Sequence, residues 1–371
     1  MRLKNCLSAV AIATLTVTTA LAFATPAGAN PNAVNPIPLL NGTIGLPRLN
    51  GPTQAVAQVT GLASPNNTQN YNVFGTDLGI MWDNGKGEML TAYGDTAGFG
   101  LPNLLLGSFW AWRSNILMRS HDKTPGDGII YDSVVRDGLG QAKDLVPSPK
   151  IPFVEISRIP TAGIAVNGTQ YMSMMSVKSW LEPGRWDTNF ATIALSGDNG
   201  ENWIEAPEAR RPAAGGDLNF QMSAFVKGNG FVYQYGTPPG RNNSAYLARV
   251  VPEQILNLAE YEYWNGKEWR KNDVNAAIPI VPSGVGEVSV AWNQFLGQYV
   301  MLTTDAFNSV VMMTSPNPEG PWSPPRVLID TRALPSAYAP SIYPYQTGSD
   351  LYFLTTIHQQ YNVVLMRTPL R

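Results

Sequence analysis

Along most of the chain apolar and polar residues alternate with period two, the spacing of half-buried β-strands, and helical periodicity is scarce. Pro252 to Tyr263 (PEQILNLAEYEY) is the one good helical candidate, and it is short. The alternating stretches fall into a repeat made of a short strand, a tight turn containing glycine, and a second apolar or aromatic strand. The repeat occurs five times, as LGIMWDNGKGEMLTAYGD, IPTAGIAVNGTQYMSMMSV, FQMSAFVKGNGFVYQYG, VSVAWNQFLGQYVMLTTD and SIYPYQTGSDLYFLTTIH. Its turns centre near Lys86, Gly168, Gly228, Leu296 and Gly348. The spacing, roughly 50 to 80 residues, is that of one propeller blade.

A third strand follows each copy: SNILMRS, ATIALSG, SAYLARV, SVVMMTS and NVVLMRT. After the second of these comes Ser196 to Trp203 (SGDNGENW), an S-x-D-x-G-x-x-W Asp box in which the Asp caps a turn through backbone N–H groups and the Trp packs between strands. Ser315 to Trp322 (SPNPEGPW) is a looser relative, and Trp264 and Trp269 mark the same place in the third copy. The fifth unit reaches Arg371 with its third strand, so residues of the N-terminal arm are expected to supply its outer strand and close the ring. The prediction is an all-β chain in which residues 53–371 form a single five-bladed β-propeller.

The first residues change the picture of the compartment. Arg2 and Lys4 precede an apolar stretch from Leu7 to Phe23, and Ala27, Gly28 and Ala29 form a small-residue cleavage site, so residues 1–29 read as a secretory signal peptide cleaved before Asn30. The alternative is an uncleaved N-terminal anchor. Residues 30–52, rich in Pro, Asn and Gly, read as an arm. Cys6, the one cysteine, would leave with the peptide, which removes thiol nucleophiles, disulfides and thiolate metal sites from the mature chain. A formal charge of −2 without a basic block argues against a nucleic-acid partner. Ten Trp, fifteen Tyr and twelve Phe leave room for a carbohydrate partner, whose apolar faces stack on rings.

In a propeller the start of each first strand and the end of each second strand share one rim. Reflection about the turn centres pairs Asp77 with Asp95, Arg158 with Lys178, Asn219 with Thr237, Glu287 with Asp305 and Tyr338 with His358, all of them polar. A rim so lined suits a polyol: carboxylates for chemistry, and amide, cation and phenol groups to hold hydroxyls. Arg158, Asn219, Glu287, Tyr338 and His358 are the expected substrate-binding residues. Asp77 and Asp95 are the expected catalytic pair, because opposed carboxyl groups raise one another's pKa and glycosidases need one acid and one base or nucleophile. The same two residues also fit turn caps beside glycines, and Glu287 is a third carboxylate that could serve as the acid or orient one. With His121 and His358 the only histidines, a His-rich metal site or a Ser-His-Asp triad has little material. No metal and no cofactor are expected. Trp110 and Trp112 (SFWAWRS) fit either core packing or a stacking platform.

At Asp77 to Gly98 (DLGIMWDNGKGEMLTAYGDTAG) the chain resembles domain-of-unknown-function family 4185, secreted actinobacterial proteins associated with the endo-D-arabinanases of glycoside hydrolase family 183. The likeness runs through GTDLG, YGDTAG, SNILMRS, NFQMSAF and YAPSIYP. It implies a five-bladed propeller, a D-arabinan substrate in the cell wall, and a catalytic role for the two Asp of GTDLG and YGDTAG, Asp77 and Asp95. Related propellers include sialidases, but no arginine triad assembles around Tyr338. The expected protein is a secreted monomer that cleaves cell-wall arabinan; the rival is a propeller that grips the same polymer without catalysis.

Overall fold

The computed structural model describes residues 46–100 and 111–371. The signal peptide with Cys6, the arm as far as residue 45, and Trp110 lie outside these residues. Among the described residues the strands gather into five antiparallel sheets, the blades of a five-bladed β-propeller. The inner strands are Gly75–Asp83, Ser157–Val166, Met222–Gly228, Ser289–Asn293 and Ala337–Ile342. Each touches the next around the ring, and the last touches the first. Hairpins from inner to second strand turn where the sequence supplies residues that tolerate left-handed backbone. Asn167 and Gly168 have φ of 49° and 84°, and Asn229 and Gly230 have 50° and 80°; two successive positive values match the right-handed twist of the flanking strands.

Central strands depart from strict alternation and are apolar on both faces, with Met89 and Tyr93 on one side of the first blade and Leu90 and Ala92 on the other, so the core lies between blades. Trp82, Leu90, Met172 and Ala194 fill the space between the first and second, and Leu302, Val310, Phe353 and Val364 that between the fourth and fifth. Between the fifth and the first, Leu354 and Val363 meet Tyr93 and Ile116, so the packing closes on itself. The fifth blade is completed from the other end of the chain: Gln54–Gln58 pairs antiparallel with Asn362–Pro369, matching Gln54 to Arg367 and Gln58 to Val364. The closing strand thus begins just past the arm, inside the residues assigned to the propeller.

The structure corrects the helix expected at Pro252 to Tyr263. Two 3-10 turns, Pro252–Gln254 and Leu258–Glu260, replace it, and Glu262–Trp264 then forms a strand. Tyr261 and Tyr263 are both fully buried, and an extended segment delivers that pair to the core where a helix would carry one of them outward. The Asp box forms a structural turn: Asp198 accepts from Asn202 N at 3.0 Å and Asn202 Nδ2 at 2.8 Å, Ser196 donates to it at 2.7 Å, and Trp203 Nε1 donates to Gly200 O at 3.0 Å.

Candidate functional site

Thr76 and Thr96 pair directly across the first blade, but the register then shifts on both sides of Leu78. Leu78 and Gly79 have φ of 69° and 87°, a strained bulge that turns Asp77 out of the plain ladder toward the channel rim. The backbone is pinned there by Leu78 N, which donates to Thr356 Oγ1 of the fifth blade at 2.8 Å. Across the hairpin Gly94 leaves room for the acid: a Cβ at that position would collide with Asp77 Oδ1. Asp95 follows, fully buried, and accepts a hydrogen bond on Oδ1 from Ser157 of the second blade.

Burial drives both carboxyls toward the protonated form. Asp77 is raised well above its ordinary value by desolvation and then by the charge of Asp95, against a hydrogen bond from Tyr338 Oη to Oδ2 at 2.8 Å. Desolvation raises Asp95 to about 7, against the pull of Ser157, of nearby Trp112 and of the Lys150 charge. Lys150 comes from the loop before the second blade, where Asp144 holds it at 3.6 Å. Tyr338 is aimed by the same device as Asp77, since the residue after it, Ala339, has φ of 49°.

Around this centre, Glu287 is bound by Arg241, with Nη2 to Oε1 at 2.7 Å and Nε to Oε2 at 3.0 Å. The guanidinium lies 4.5 Å over the Tyr338 ring. His358 packs against Tyr338 and Tyr361, ring centroids 6.2 and 6.0 Å away, and burial followed by the Arg241 charge lowers it to about 4. It is therefore neutral at physiological pH. Asp77, Leu78, Trp180, Trp186, Met222 and Glu287 are among the residues that line a cavity of ≈ 30 Å³ at this rim. A larger one, ≈ 330 Å³, occupies the opposite mouth beside Asp83, Lys227 and Trp292, but Asp77 lines the first.

Of the residues expected at the rim, the structure gathers Asp77, Asp95, Glu287, Tyr338 and His358. Arg158 and Asn219 lie elsewhere. Arg158 bonds to Glu155 at 2.6 Å and to Glu205 of the outer strand, and it pairs across its hairpin with Ser176 instead of Lys178. A slip of one residue reverses the facing of a strand, so its neighbour Ser157 points inward. Asn219 precedes the strand, half-exposed on the 3-10 segment Gly215–Phe220, while Thr237 pairs with Met222. Two other pairings also shift: Tyr338 faces Thr356, and Glu287 reaches Thr304 Oγ1 at 3.5 Å. Sequence reasoning gave no role to Ser157, Arg241 or Tyr361. Arg241 sits in the TPPGRNNS loop, where its one signal is a cation beside a Pro-Pro-Gly turn. Trp112 is buried against Tyr361 at 5.8 Å, a core position at the edge of the site. Among the described residues no group of three or more His, Cys, Asp or Glu is arranged to hold a metal ion.

Comparison with known proteins follows this geometry. The model of a domain of unknown function, DUF4185, matches residues 63–367. Notoamide biosynthesis cluster protein J of Aspergillus sp. (strain MF297-2) is 26% identical over 312 residues, covering 77% of this chain and 80% of that protein. Among solved structures, a candidate hydrolase from Bacteroides ovatus superposes with a TM-score of 0.55 at 14% identity, over 81% of this chain and 87% of that one. An exo-beta-1,3-galactanase from Phanerochaete chrysosporium, solved with beta-1,3-galactotriose, gives 0.52 at 9% identity, over 86% of this chain and 65% of that one. These likenesses establish the fold.

Proposed function

The chain belongs to the DUF4185 family, and from that premise we propose that it is a secreted glycoside hydrolase, an endo-D-arabinanase acting on the α-linked D-arabinofuranose chains of cell-wall arabinogalactan and lipoarabinomannan. The observation that carries the reading is the pair of fully buried carboxyls at one rim of the channel, Asp77 and Asp95, the charge of the second acting on the first. A buried structural carboxylate is normally matched by a cation or by several N–H donors. Among the described residues Asp77 is met instead by the hydroxyls of Tyr338 and Tyr361, and Asp95 by the Ser157 hydroxyl and the Trp112 indole. Two carboxyls whose environments set them to different protonation states are what glycoside hydrolysis requires. The motifs GTDLG and YGDTAG support the same two residues, and the galactanase shows that a propeller of this shape serves glycoside cleavage in another protein.

In this reading Asp77 is the acid. Burial and the Asp95 charge both push it toward the protonated form, so it holds a proton for the departing glycosidic oxygen. Asp95, held lower by Ser157 and Lys150, is the base or nucleophile at the sugar carbon. Tyr338 fixes the Asp77 carboxyl, and the Arg241–Glu287 pair supports the Tyr338 ring from behind. Export through residues 1–29 puts the protein beside its polymer.

The test is incubation of the purified mature protein with mycobacterial arabinogalactan in chelator, followed by chromatography of soluble products, beside Asp77→Asn and Asp95→Asn. Oligo-arabinosides from the wild type, with a loss of roughly a thousandfold or more in each variant, are the expected result. Full activity of either variant would remove that residue from the mechanism. Polymer binding without products from the wild type would make the protein a wall-binding propeller.

A further inference from the structure

The two cavities of the channel lie end to end. Every blade contributes to both: in the first, Asp77 and Leu78 border the small cavity and Met81 and Asp83 the large one. Three residues, Ile80, Thr161 and Val288, line the two together. A single layer of side chains therefore stands between the cavity of the Asp77 carboxyl and the far mouth. Thr161 is the extra residue of a bulge, since Pro160 pairs with Met174 and Ala162 with Ser173. Its hydroxyl turns back into its own hairpin, 3.2 Å from Ser173 Oγ and 3.3 Å from Ser173 O. On the far side of this neck, Ser341 Oγ accepts from Met81 N at 3.1 Å and Ser289 Oγ from Ile342 N at 3.0 Å. Each ties one inner strand to the next and, being the acceptor there, keeps its own hydrogen to offer. Together with Thr161 they place hydroxyls along a wall that is otherwise largely apolar.

A polysaccharide lying on the rim beside Asp77 would shut bulk water away from the acid. Hydrolysis nevertheless consumes water at every bond: its hydroxyl goes to the sugar carbon, and the equivalent of its hydrogen leaves on the departing oxygen. The small cavity, at ≈ 30 Å³, has room for roughly one or two waters, so it holds little reserve, whereas the large one behind it measures ≈ 330 Å³. We propose that the far mouth is a solvent port, through which water passes the neck of Ile80, Thr161 and Val288 to reach Asp77 while the polymer covers the near rim. This inference rests on the glycosidase reading and gives the second mouth of the channel a function that the reading does not require.

Cys6 is the one cysteine of the chain, so a protein produced from residue 30 with Thr161→Cys carries a single thiol, at the neck. Methyl methanethiosulfonate converts that thiol to a methyl disulfide with loss of methanesulfinate, and dithiothreitol reverses the change. The modified protein is compared with its own unmodified form, which keeps the folding of the variant out of the comparison. Labelling should proceed at the same rate, within twofold, with and without saturating arabino-oligosaccharide, because the reagent enters from the far mouth. Modification should lower kcat on arabinogalactan roughly tenfold or more while KM stays within twofold, and dithiothreitol should restore it. Protection of the thiol by the sugar, no reaction of the folded protein with the reagent, an unchanged kcat, or a loss confined to KM would each overturn the port and leave the glycosidase reading standing. A wild type that cleaves nothing removes both, and the assay of the unmodified protein shows that first.

Discussion

Asp95 has a folded-state pKa of about 7 where an exposed Asp has 3.8, so protonation favours its folded form. The stabilising contribution is complete below the unfolded value and is lost as the pH rises from about 4 to about 7. Asp95→Asn should therefore be more stable than wild type at pH 7, by up to roughly 4 kcal/mol, and about equal to it at pH 4. Urea unfolding at the two pH values measures this, and an equal effect at both would contradict the assigned burial cost. In the proposed mechanism the same group sets the rate: kcat/KM should fall on the acid side with an apparent pKa near 7, as Asp95 takes up its proton, and Asp77 should set the alkaline limb. At Gly94 a different argument applies. Gly94→Ala drives a methyl into Asp77 Oδ1, so it should displace the acid and reduce activity by roughly a hundredfold or more while the protein stays folded. Circular dichroism beside the activity assay separates the two effects. The Asp residues were legible in the sequence because they flank one hairpin at equal distance from its turn. Ser157 was not, since the turn at Asn167–Gly168 pairs Arg158 with Ser176 and no local signal marks that register.

Among the elements, the repeat was the clearest message of the sequence, because period-two alternation and glycine turns are local properties that each blade states for itself. The site is less legible, because turns and neighbouring blades supply half of it. Tyr361 arrives from the fifth blade to meet a hairpin nearly three hundred residues earlier in the chain, and Arg241 from a loop with no periodicity. Closure of the ring shows how this dependence works. Gln54–Gln58 is bonded to Asn362–Pro369, and Thr60 Oγ1 receives a hydrogen bond from Val363 N at 2.9 Å. A chain beginning at residue 53 should fold as the longer one does, whereas one beginning at residue 62 should melt at least roughly 10 °C lower and lose activity, since an uncovered edge strand also invites association. Differential scanning fluorimetry of the two truncations checks this. The Asp box is the local counterpart. Asp198→Ala should cost about 1 kcal/mol without changing kcat/KM, because its bonds end within its own turn.

For the molecule as a whole, the ring creates one channel with two mouths, and the larger opening is not the one lined by Asp77. At the far mouth Trp292 is 48% exposed, with Tyr299 at 5.0 Å in an edge-to-face contact. It has the accessible ring face that a sugar-binding platform needs, but Asp77 and Asp95 belong to the other rim. At that rim Trp180 stands beside the acids, packed edge-to-face on Trp186 at 6.0 Å, with an indole N–H that has no partner. Area alone favours the far mouth as the place where polymer binds; the convergence of carboxyls, the Trp180 indole and an aromatic wall favours the near one. The two tryptophans separate these possibilities. Trp180→Ala should weaken oligosaccharide binding roughly tenfold, equivalent to about 1.4 kcal/mol, and raise KM accordingly, while Trp292→Ala should leave both within twofold. Calorimetry with one arabino-oligosaccharide on both variants decides the matter. The reverse result would move the polymer to the far mouth, where no buried acid pair could reach it, and the propeller would then hold arabinan without cleaving it.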